Sequence, residues 1–199
     1  MCGLSWSAHA QTLEAPRARQ GYYVMPLSYQ LGAAQTWEHN ESWKPWAAHD
    51  VNVLRAGQMI TQHLGFGFQL FHTGGAKGQN QLASFFGGLG FEAQWEFHPN
   101  WAVIGGVGFD VVTIKDTVLP KPSSRGTYTA GYSLGVTYDW FFTHRLTGGW
   151  SLAPIAQTRL VPGNSIKSFE ATLGLQICYW SGLPRNQLEL PPDQAYQKP

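Results

Sequence analysis

The sequence predicts an all-β protein: an antiparallel up-and-down transmembrane β-barrel, with eight strands as the count that fits best. Three observations predict this fold. Bulky apolar residues alternate with small or polar ones over long runs, only 13% of residues are charged, and 23 of 199 are glycine. The longest alternating run is Thr127–Phe141. A tilted strand needs about 9–11 residues to cross a bilayer, whereas ordinary globular strands have about 5–6.

The first half of the chain supplies four strands. Tyr23–Trp37 places Tyr23, Met25, Leu27, Tyr29, Leu31, Ala33 and Trp37 on one face. Too many residues separate this strand from Leu64–Thr73 for a single connection, so the strand-like run Ala47–Gln58 is inferred to be a strand as well. Ser84–His98 separates a face of phenylalanine, leucine and tryptophan from a face of glycine, glutamine and glutamate.

The second half supplies the other four strands. Trp101–Thr113 alternates with glycine at many positions. Thr127–Phe141, Leu146–Leu160 and Ser168–Trp180 alternate more clearly, with aromatic and aliphatic residues on one face and glycine, hydroxyl and amide residues on the other. An even number of strands is the rule for single-chain bacterial barrels, which favours eight over seven.

Connection lengths predict the orientation. Residues 98–100 and 142–145 are tight turns, whereas 38–46, 74–81, 115–126 and 161–167 are longer and more polar. Short turns are typical of the periplasmic side and long loops of the outside, so both termini are predicted to be periplasmic. An aromatic girdle is then expected at the periplasmic interface. Its predicted members are Trp95, Phe97, Trp101, Trp140, Phe141 and Tyr179.

The lumen of the predicted barrel contains charges. An eight-stranded barrel is just wide enough for side chains to fill, so charges inside it must pair or accept hydrogen bonds. The strand parity turns six charged residues inward: Arg159, Glu170, Glu92, Glu96, Asp110 and Asp139. Folding the last hairpin about residues 164–165 sets Arg159 opposite Glu170 and predicts an ion pair. The acidic excess leaves a narrow path for small cations as an alternative to a structural plug.

The chain divides into three segments. Residues 1–20 are interpreted as a signal-peptide remnant and periplasmic lead, with cleavage after Ala10 in Ala8-His9-Ala10. Residues 21–180 form the barrel, and residues 181–199 are expected to be a disordered, Pro-rich periplasmic tail. An unstructured amino terminus and a lipoprotein anchored through Cys2 are the alternatives. Cys178 has no disulfide partner in the mature chain.

Several classes of protein are disfavoured. The net charge is +1 with no basic run, so nucleic-acid binding has no electrostatic basis. The seven histidines lack metal-ligand spacing, and no cofactor is indicated. A soluble, lipocalin-like barrel alternates in the same way but needs a strongly charged wet face. Here every lysine lies outside the predicted strands or at their very ends.

The long period-two strands and a last strand that ends in LGLQICYW resemble the small eight-stranded outer-membrane barrels of Gram-negative bacteria, of OmpA, OmpX and OmpW type. The resemblance covers residues 21–180. It implies a bacterial outer-membrane location, insertion by the barrel-assembly machinery with the last strand as signal, and contact with outer-membrane lipid and lipopolysaccharide. The chain departs from the pattern at Ser181–Pro199, which follows the aromatic end and is too short for a peptidoglycan-binding domain.

Some barrels of this size modify lipid A. Gly88–Trp95 (GLGFEAQW) and Gly105–Pro122 weakly resemble the lipid A palmitoyltransferase PagP. That resemblance implies a histidine with an Asp-Ser pair, and the chain has no Asp-Ser dipeptide. The His-x-Ser element of the deacylase PagL is also absent from the late strands. His39, His72 and Asp116 remain as outer-rim candidates, because a histidine beside a carboxylate can act as a general base.

Three functions stay open at this point. The first is a structural or interaction barrel with a filled lumen, whose extracellular loops contact a protein partner. The second is a porin-like but narrow channel or transporter for small or apolar solutes. The third is a lipid A-modifying acyl enzyme at the outer leaflet. The sequence favours the first and does not favour catalysis, since no complete catalytic motif is present.

Overall fold

The computed structural model describes residues 21–39, 41–42, 45–61, 63–77, 81–98, 100–116, 123–142 and 148–181. The predicted signal-peptide remnant and all of the predicted tail but Ser181 lie outside these residues. The structure has eight long strands: β1 (Tyr22–Glu38), β2 (Trp46–Met59), β3 (Leu64–Lys77), β4 (Gln81–His98), β5 (Trp101–Asp116), β6 (Ser123–Tyr138), β7 (Gly148–Pro162) and β8 (Ile166–Ser181). The described residues include no helix able to cross a membrane.

The eight strands form one closed antiparallel sheet. Each strand pairs with the next along the chain, and β8 pairs with β1 to close the ring. Two segments of two residues complete it: Glu41–Ser42 pairs with β1, and Trp140–Phe141 continues the line of β6 along β7. The predicted all-β, up-and-down barrel is therefore confirmed, including the strand inferred at Ala47–Gln58.

Several strands extend beyond their predicted ends. β3 and β4 are separated by residues 78–80 alone, and β7 and β8 by residues 163–165. The predicted long loops 74–81 and 161–167 are therefore wrong in length. Backbone pairing continues there although the apolar alternation stops, because ladder hydrogen bonds need no apolar face. We call the end that holds Tyr22 and Ser181 the periplasmic end, and the opposite end the outer rim, following the predicted orientation.

The exterior of the barrel is apolar. Phe91, Leu173 and Leu134 are 71%, 68% and 58% exposed, and many aromatic and aliphatic side chains share their face. A contiguous apolar surface of this extent is not stable in water, and a bilayer is the medium in which it is stable. The polar face of every strand is turned to the lumen.

Strand β1 changes phase near its start. Its pairing with β8 shifts register between Val24 and Leu27, and Tyr23 and Met25 are buried inside while Leu27 is exposed outside. The predicted single face for Tyr23–Trp37 is therefore wrong for its first two apolar members. Pro26 lies in the irregularity, where its missing N–H costs no ladder hydrogen bond.

The predicted girdle residues lie on two sides of the wall. Trp95, Phe97, Trp101 and Trp140 are exposed, and Tyr179 packs against Trp150 with ring centroids 5.2 Å apart. Phe141 is only 2% exposed, so its assignment to the girdle is wrong. It follows Trp140 directly, and successive residues of a strand point to opposite faces. Tyr22, Tyr138 and Trp150 contact girdle residues from the outside and join this ring.

Candidate functional site

The lumen is closed at the periplasmic end by a group of buried side chains that we call the periplasmic cluster. Its members are Tyr23, Met25, Met59, Phe141, Cys178 and Trp180. Tyr23 and Trp180 lie with ring centroids 5.2 Å apart. Glycine makes room for them, because a Cβ at Gly67 would lie 2.7 Å from the Tyr23 hydroxyl oxygen. Glycine on the lumen face of β3 thus leaves space for the large side chain of Tyr23 from β1.

A fully paired ion pair lies directly above this cluster. The Arg55 guanidinium donates to both carboxylate oxygens of Glu92, at 2.7 and 3.0 Å, and the Tyr23 hydroxyl donates to Glu92 at 2.5 Å. Arg55 also donates to Gln176 at 3.0 Å, and Gln176 donates to Thr137 at 3.0 Å. Both charged side chains are almost completely buried. The network links β1, β2, β4, β6 and β8 across the lumen.

The two other predicted lumen acids near this end are also buried. Asp139 accepts hydrogen bonds from the Ser151 hydroxyl at 2.5 Å and the Trp180 indole at 3.4 Å. Glu96 is 8% exposed and lies near the end of β4. Asp139 therefore ties the indole of the periplasmic cluster to β7.

Amide and hydroxyl side chains fill the middle of the lumen. Gln30 donates to Gln157 at 3.1 Å and accepts from the Thr172 hydroxyl at 2.9 Å. Gln69 donates to Ser133 at 3.2 Å on the opposite side of the barrel. These groups satisfy one another across the barrel, which is what a narrow polar interior requires.

The second lumen ion pair joins Arg159 to Asp110, with two hydrogen bonds of 3.0 and 3.1 Å. The predicted register is present, since Arg159 and Glu170 are direct neighbours on β7 and β8. The predicted ion pair between them is nevertheless wrong. The Arg159 guanidinium lies over the Phe71 ring and reaches past β6 to Asp110 of β5, which fills the space left by Gly131 of β6. Adjacent residues of one face point in parallel, so an acid two strands away offers better bidentate geometry.

The acids of the outer half exceed its bases. Glu170 accepts from the Thr73 hydroxyl at 3.2 Å, and Thr73 is the pairing neighbour of Asp50 on β2. Asp50 is 1% exposed, and its Oδ1 has no hydrogen-bond partner; neither has Nη1 of Arg159. Among the described residues, this half of the lumen thus holds three buried acids, Asp50, Asp110 and Glu170, and one buried guanidinium, which is bonded to Asp110.

An apolar group, the outer cluster, closes the lumen toward the rim. Its buried members are Ala34, Trp46, Ala48, Val112, Ile114, Val161 and Ile166. The Trp46 indole donates to the Thr36 hydroxyl at 3.0 Å. Arg125 of β6 pairs with Glu38 of β1 near the outer ends of both strands. Among the described residues, buried side chains thus occupy both ends and the middle of the lumen.

The outer-rim candidates do not assemble into a catalytic group. His39 ends β1 in a left-handed turn, with φ of 49°, and is exposed. His72 lies within β3 on the lipid side, half-buried, and Asp116 ends β5, where its side chain lies outside the described residues. In the part of the chain that the structure describes, no group of three or more histidine, cysteine or acidic residues is placed to hold a metal ion.

A groove lies on the outside of the barrel near the rim. Trp37, Leu160, Pro162 and Lys167 line a volume of about 330 Å³. Trp37 and Pro162 are the pairing neighbours of Lys167 on its two sides, so these three residues form one row across β1, β8 and β7. Leu160 lies two residues before Pro162, on the side of the apolar band.

Sequence reasoning missed several of these residues. Arg55 and Asp50 lie on β2, the strand with the weakest alternation, so the sequence does not clearly indicate that their side chains face the lumen. The pairing of Arg125 with Glu38 joins strands that are not neighbours in the sheet, which no local pattern reveals. Arg55 was nonetheless detectable, because it is the single arginine or lysine in the predicted strand Ala47–Gln58.

Comparisons with known proteins agree with this fold. The chain is 12% identical to Ail, the attachment invasion locus protein of Yersinia pestis, with a TM-score of 0.55 over 80% of this chain and 99% of Ail. For Ail in complex with the heparin analogue sucrose octasulfate the identity is 11%, the TM-score 0.58, and the coverage 80% and 99%. Neisserial surface protein A gives 13% identity, a TM-score of 0.46, and coverage of 81% and 97%. The fold is that of a small outer-membrane β-barrel. No family model matches the chain, and no curated protein does.

Proposed function

We propose that the protein is an integral barrel of the bacterial outer membrane that acts through its outer rim, in a structural or interaction role. The observation that carries this proposal is the filled lumen. The periplasmic cluster closes one end and the outer cluster the other, with two bidentate ion pairs between them. Packing of this kind among the described residues argues against a channel.

The outer rim supports an interaction role. β6 begins at Ser123, but its pairing with β7 begins only at Tyr132. The first nine residues of β6 therefore pair with β5 alone, and sheet edges of this kind are surfaces on which protein partners dock. Ail, whose fold this chain shares, is named for attachment and invasion; by that analogy of fold, contact with another cell surface is the interaction we propose to test first.

The filled lumen is tested by planar-bilayer recording of the purified barrel. We expect no discrete conductance steps. The matched control combines Trp46→Ala and Trp180→Ala with Arg55→Ala and Arg159→Ala, so that both closing clusters and both ion pairs are opened, and it should conduct. Discrete steps in the unmodified protein would contradict the proposal and favour the narrow channel.

The rim role is tested by adhesion of bacteria that express the barrel to cultured epithelial cells. Replacement of Ser124, Arg125 and Thr127 by glycine should lower adhesion to the level of cells without the barrel. Glycine at Ser133 and Thr137, deeper in the same strand, is the control for reduced barrel stability. Equal adhesion with and without the barrel would remove this role.

The remaining expectations stay predictions. Insertion by the barrel-assembly machinery and contact with lipopolysaccharide are parts of the proposal. Lipid A modification is the weaker alternative, because the described positions of His39, in the turn after β1, and His72, within β3, belong to separate parts of the sheet. Mass spectra of lipid A that are unchanged by overexpression of the barrel would argue against it.

A further inference from the structure

The external groove has a chemistry unlike the rest of the lipid-facing surface. Three of its walls, Trp37, Leu160 and Pro162, are apolar or aromatic, and the fourth is the exposed ammonium-bearing side chain of Lys167. Its volume of about 330 Å³ is at the lower end of the range for ligand pockets. It therefore has room for part of one acyl chain and its attached headgroup rather than for a whole glycolipid.

The charge on this outer surface has one sign. Of the aspartate, glutamate, lysine and arginine side chains that the structure describes, Lys115 and Lys167 are exposed, and that of Arg125, which pairs with Glu38, is 40% exposed. Neither lysine has an ion-pair partner among the described residues. The nearest acid along β1, Glu38, is turned inward to Arg125. Within the described part of the chain, Lys167 is thus a cation without an ion-pair partner at the edge of an apolar band.

The height of Lys167 fits a lipid headgroup. Below it on β8 lie the outward side chains of Phe169, Leu173, Leu175 and Ile177, which are 40% to 68% exposed. Trp37 stands beside Lys167 in the same row, and amphipathic tryptophan and lysine side chains are typical of the interface between hydrocarbon and headgroups. A phosphate on a lysine gains a charge-assisted hydrogen bond there.

We propose that this groove binds one phosphorylated glycolipid of the outer leaflet, of the lipid A class. The phosphate lies on the Lys167 ammonium group, and an acyl chain packs along Leu160 and Pro162 against the Trp37 ring. The site deepens the lipid contact expected of the barrel, and it is independent of the cell-surface role proposed for the rim.

The test is binding of bisphosphorylated lipid A to the purified full barrel in neutral detergent, followed by native mass spectrometry. Lys167→Gln should weaken binding about tenfold, the loss of one charged hydrogen bond. Lys115→Gln is the matched control, since that lysine is equally exposed and without a described partner but lies outside the groove; it should change affinity by less than about twofold. Lipid A stripped of its phosphates should bind weakly and without dependence on residue 167.

A second variant tests the apolar part of the site. Leu160→Trp fills the groove and should lower affinity for lipid A, whereas Leu173→Trp, lower on the neighbouring strand, should not. Heat-modified migration on gels checks that each variant folds. Three results would each overturn the proposal: equal loss in both lysine variants, equal affinity for phosphorylated and dephosphorylated lipid A, or no effect of Lys167→Gln.

Discussion

The two halves of the lumen hold the same kind of ion pair in different surroundings. In the periplasmic half, Glu92 accepts three hydrogen bonds from Arg55 and Tyr23, and Asp139 accepts hydrogen bonds from Ser151 and Trp180. In the outer half, Arg159 pairs with Asp110 while Asp50 and Glu170 remain as additional acids. The first pair lies beside aromatic rings, and the second lies below a cluster of aliphatic side chains and one indole.

The two halves differ in how fully their buried charges are hydrogen-bonded. In the periplasmic half, the hydrogen-bond network of Arg55 joins five strands and leaves no free polar atom among its members. In the outer half, Asp50 Oδ1 and Arg159 Nη1 have no hydrogen-bond partner, and the apolar outer cluster packs above the ion pair. We therefore expect the two halves to respond differently to removal of a charge.

The largest effect is expected at Arg55. Arg55→Met leaves the Glu92 carboxylate buried without its cation, and breaking a buried pair costs about 3–5 kcal/mol. Urea unfolding of the barrel in lipid vesicles should show the loss. The double variant Arg55→Met and Glu92→Met should recover much of the stability, because it leaves no unpaired charge. A double variant as unstable as the single one would contradict this account.

A smaller loss is expected from Gly131→Val. The new side chain takes the space that the Asp110 carboxylate occupies, so the pair with Arg159 must shift, and overpacking costs about 1–3 kcal/mol. Gly105→Val is the matched control, since a Cβ there meets nothing within 4 Å. The same unfolding measurement compares them, and equal stability of both variants would show that Asp110 tolerates displacement.

Asp50→Asn should not lower the stability of the barrel, in contrast to removal of a charge in the periplasmic half. The Asp50 carboxylate lacks a partner for Oδ1 and lies in an acidic half of the lumen. Neutralising it should leave stability unchanged or raise it by about 1 kcal/mol. Glu92→Gln in the same assay should be clearly destabilising. A large loss from Asp50→Asn would mean that Asp50 is satisfied by a bound group.

The smallest expected effect is on tryptophan position rather than stability. Trp140 is 66% exposed to lipid, and Trp180 is 2% exposed inside the lumen. In variants that retain one tryptophan each, brominated lipids should quench the fluorescence of Trp140 strongly and that of Trp180 weakly. Equal quenching would contradict the inward placement of the last aromatic residue of β8.

Much of the barrel was predictable because lipid acts on every second residue. The alternation in Thr127–Phe141 located β6 and gave the correct parity of Asp139, and the predicted register placed Arg159 beside Glu170. The inward orientation of Tyr23 was not predictable from the alternation, because the irregularity at Pro26 reverses which side of the sheet the residues before it face. Phe141 was wrongly predicted to lie in the girdle because it is aromatic. Its position in the alternation, one residue after the outward Trp140, places it inside.

The amino-acid order alone determined which face of each strand meets lipid and which meets the lumen. A bilayer outside and a narrow polar interior require apolar and polar residues to alternate, and this alternation can be read from consecutive residues of one strand. Choice of partner inside the lumen was decided by the closed sheet. Arg159 bonds to Asp110 rather than to its neighbour Glu170, and Arg55 to Glu92, because the curved sheet brings inward side chains two strands apart within reach, and for Arg159 and Asp110 the intervening strand has glycine, Gly131, at the crossing point. The groove at Trp37 and Lys167 likewise exists only because β8 closes the ring between β7 and β1.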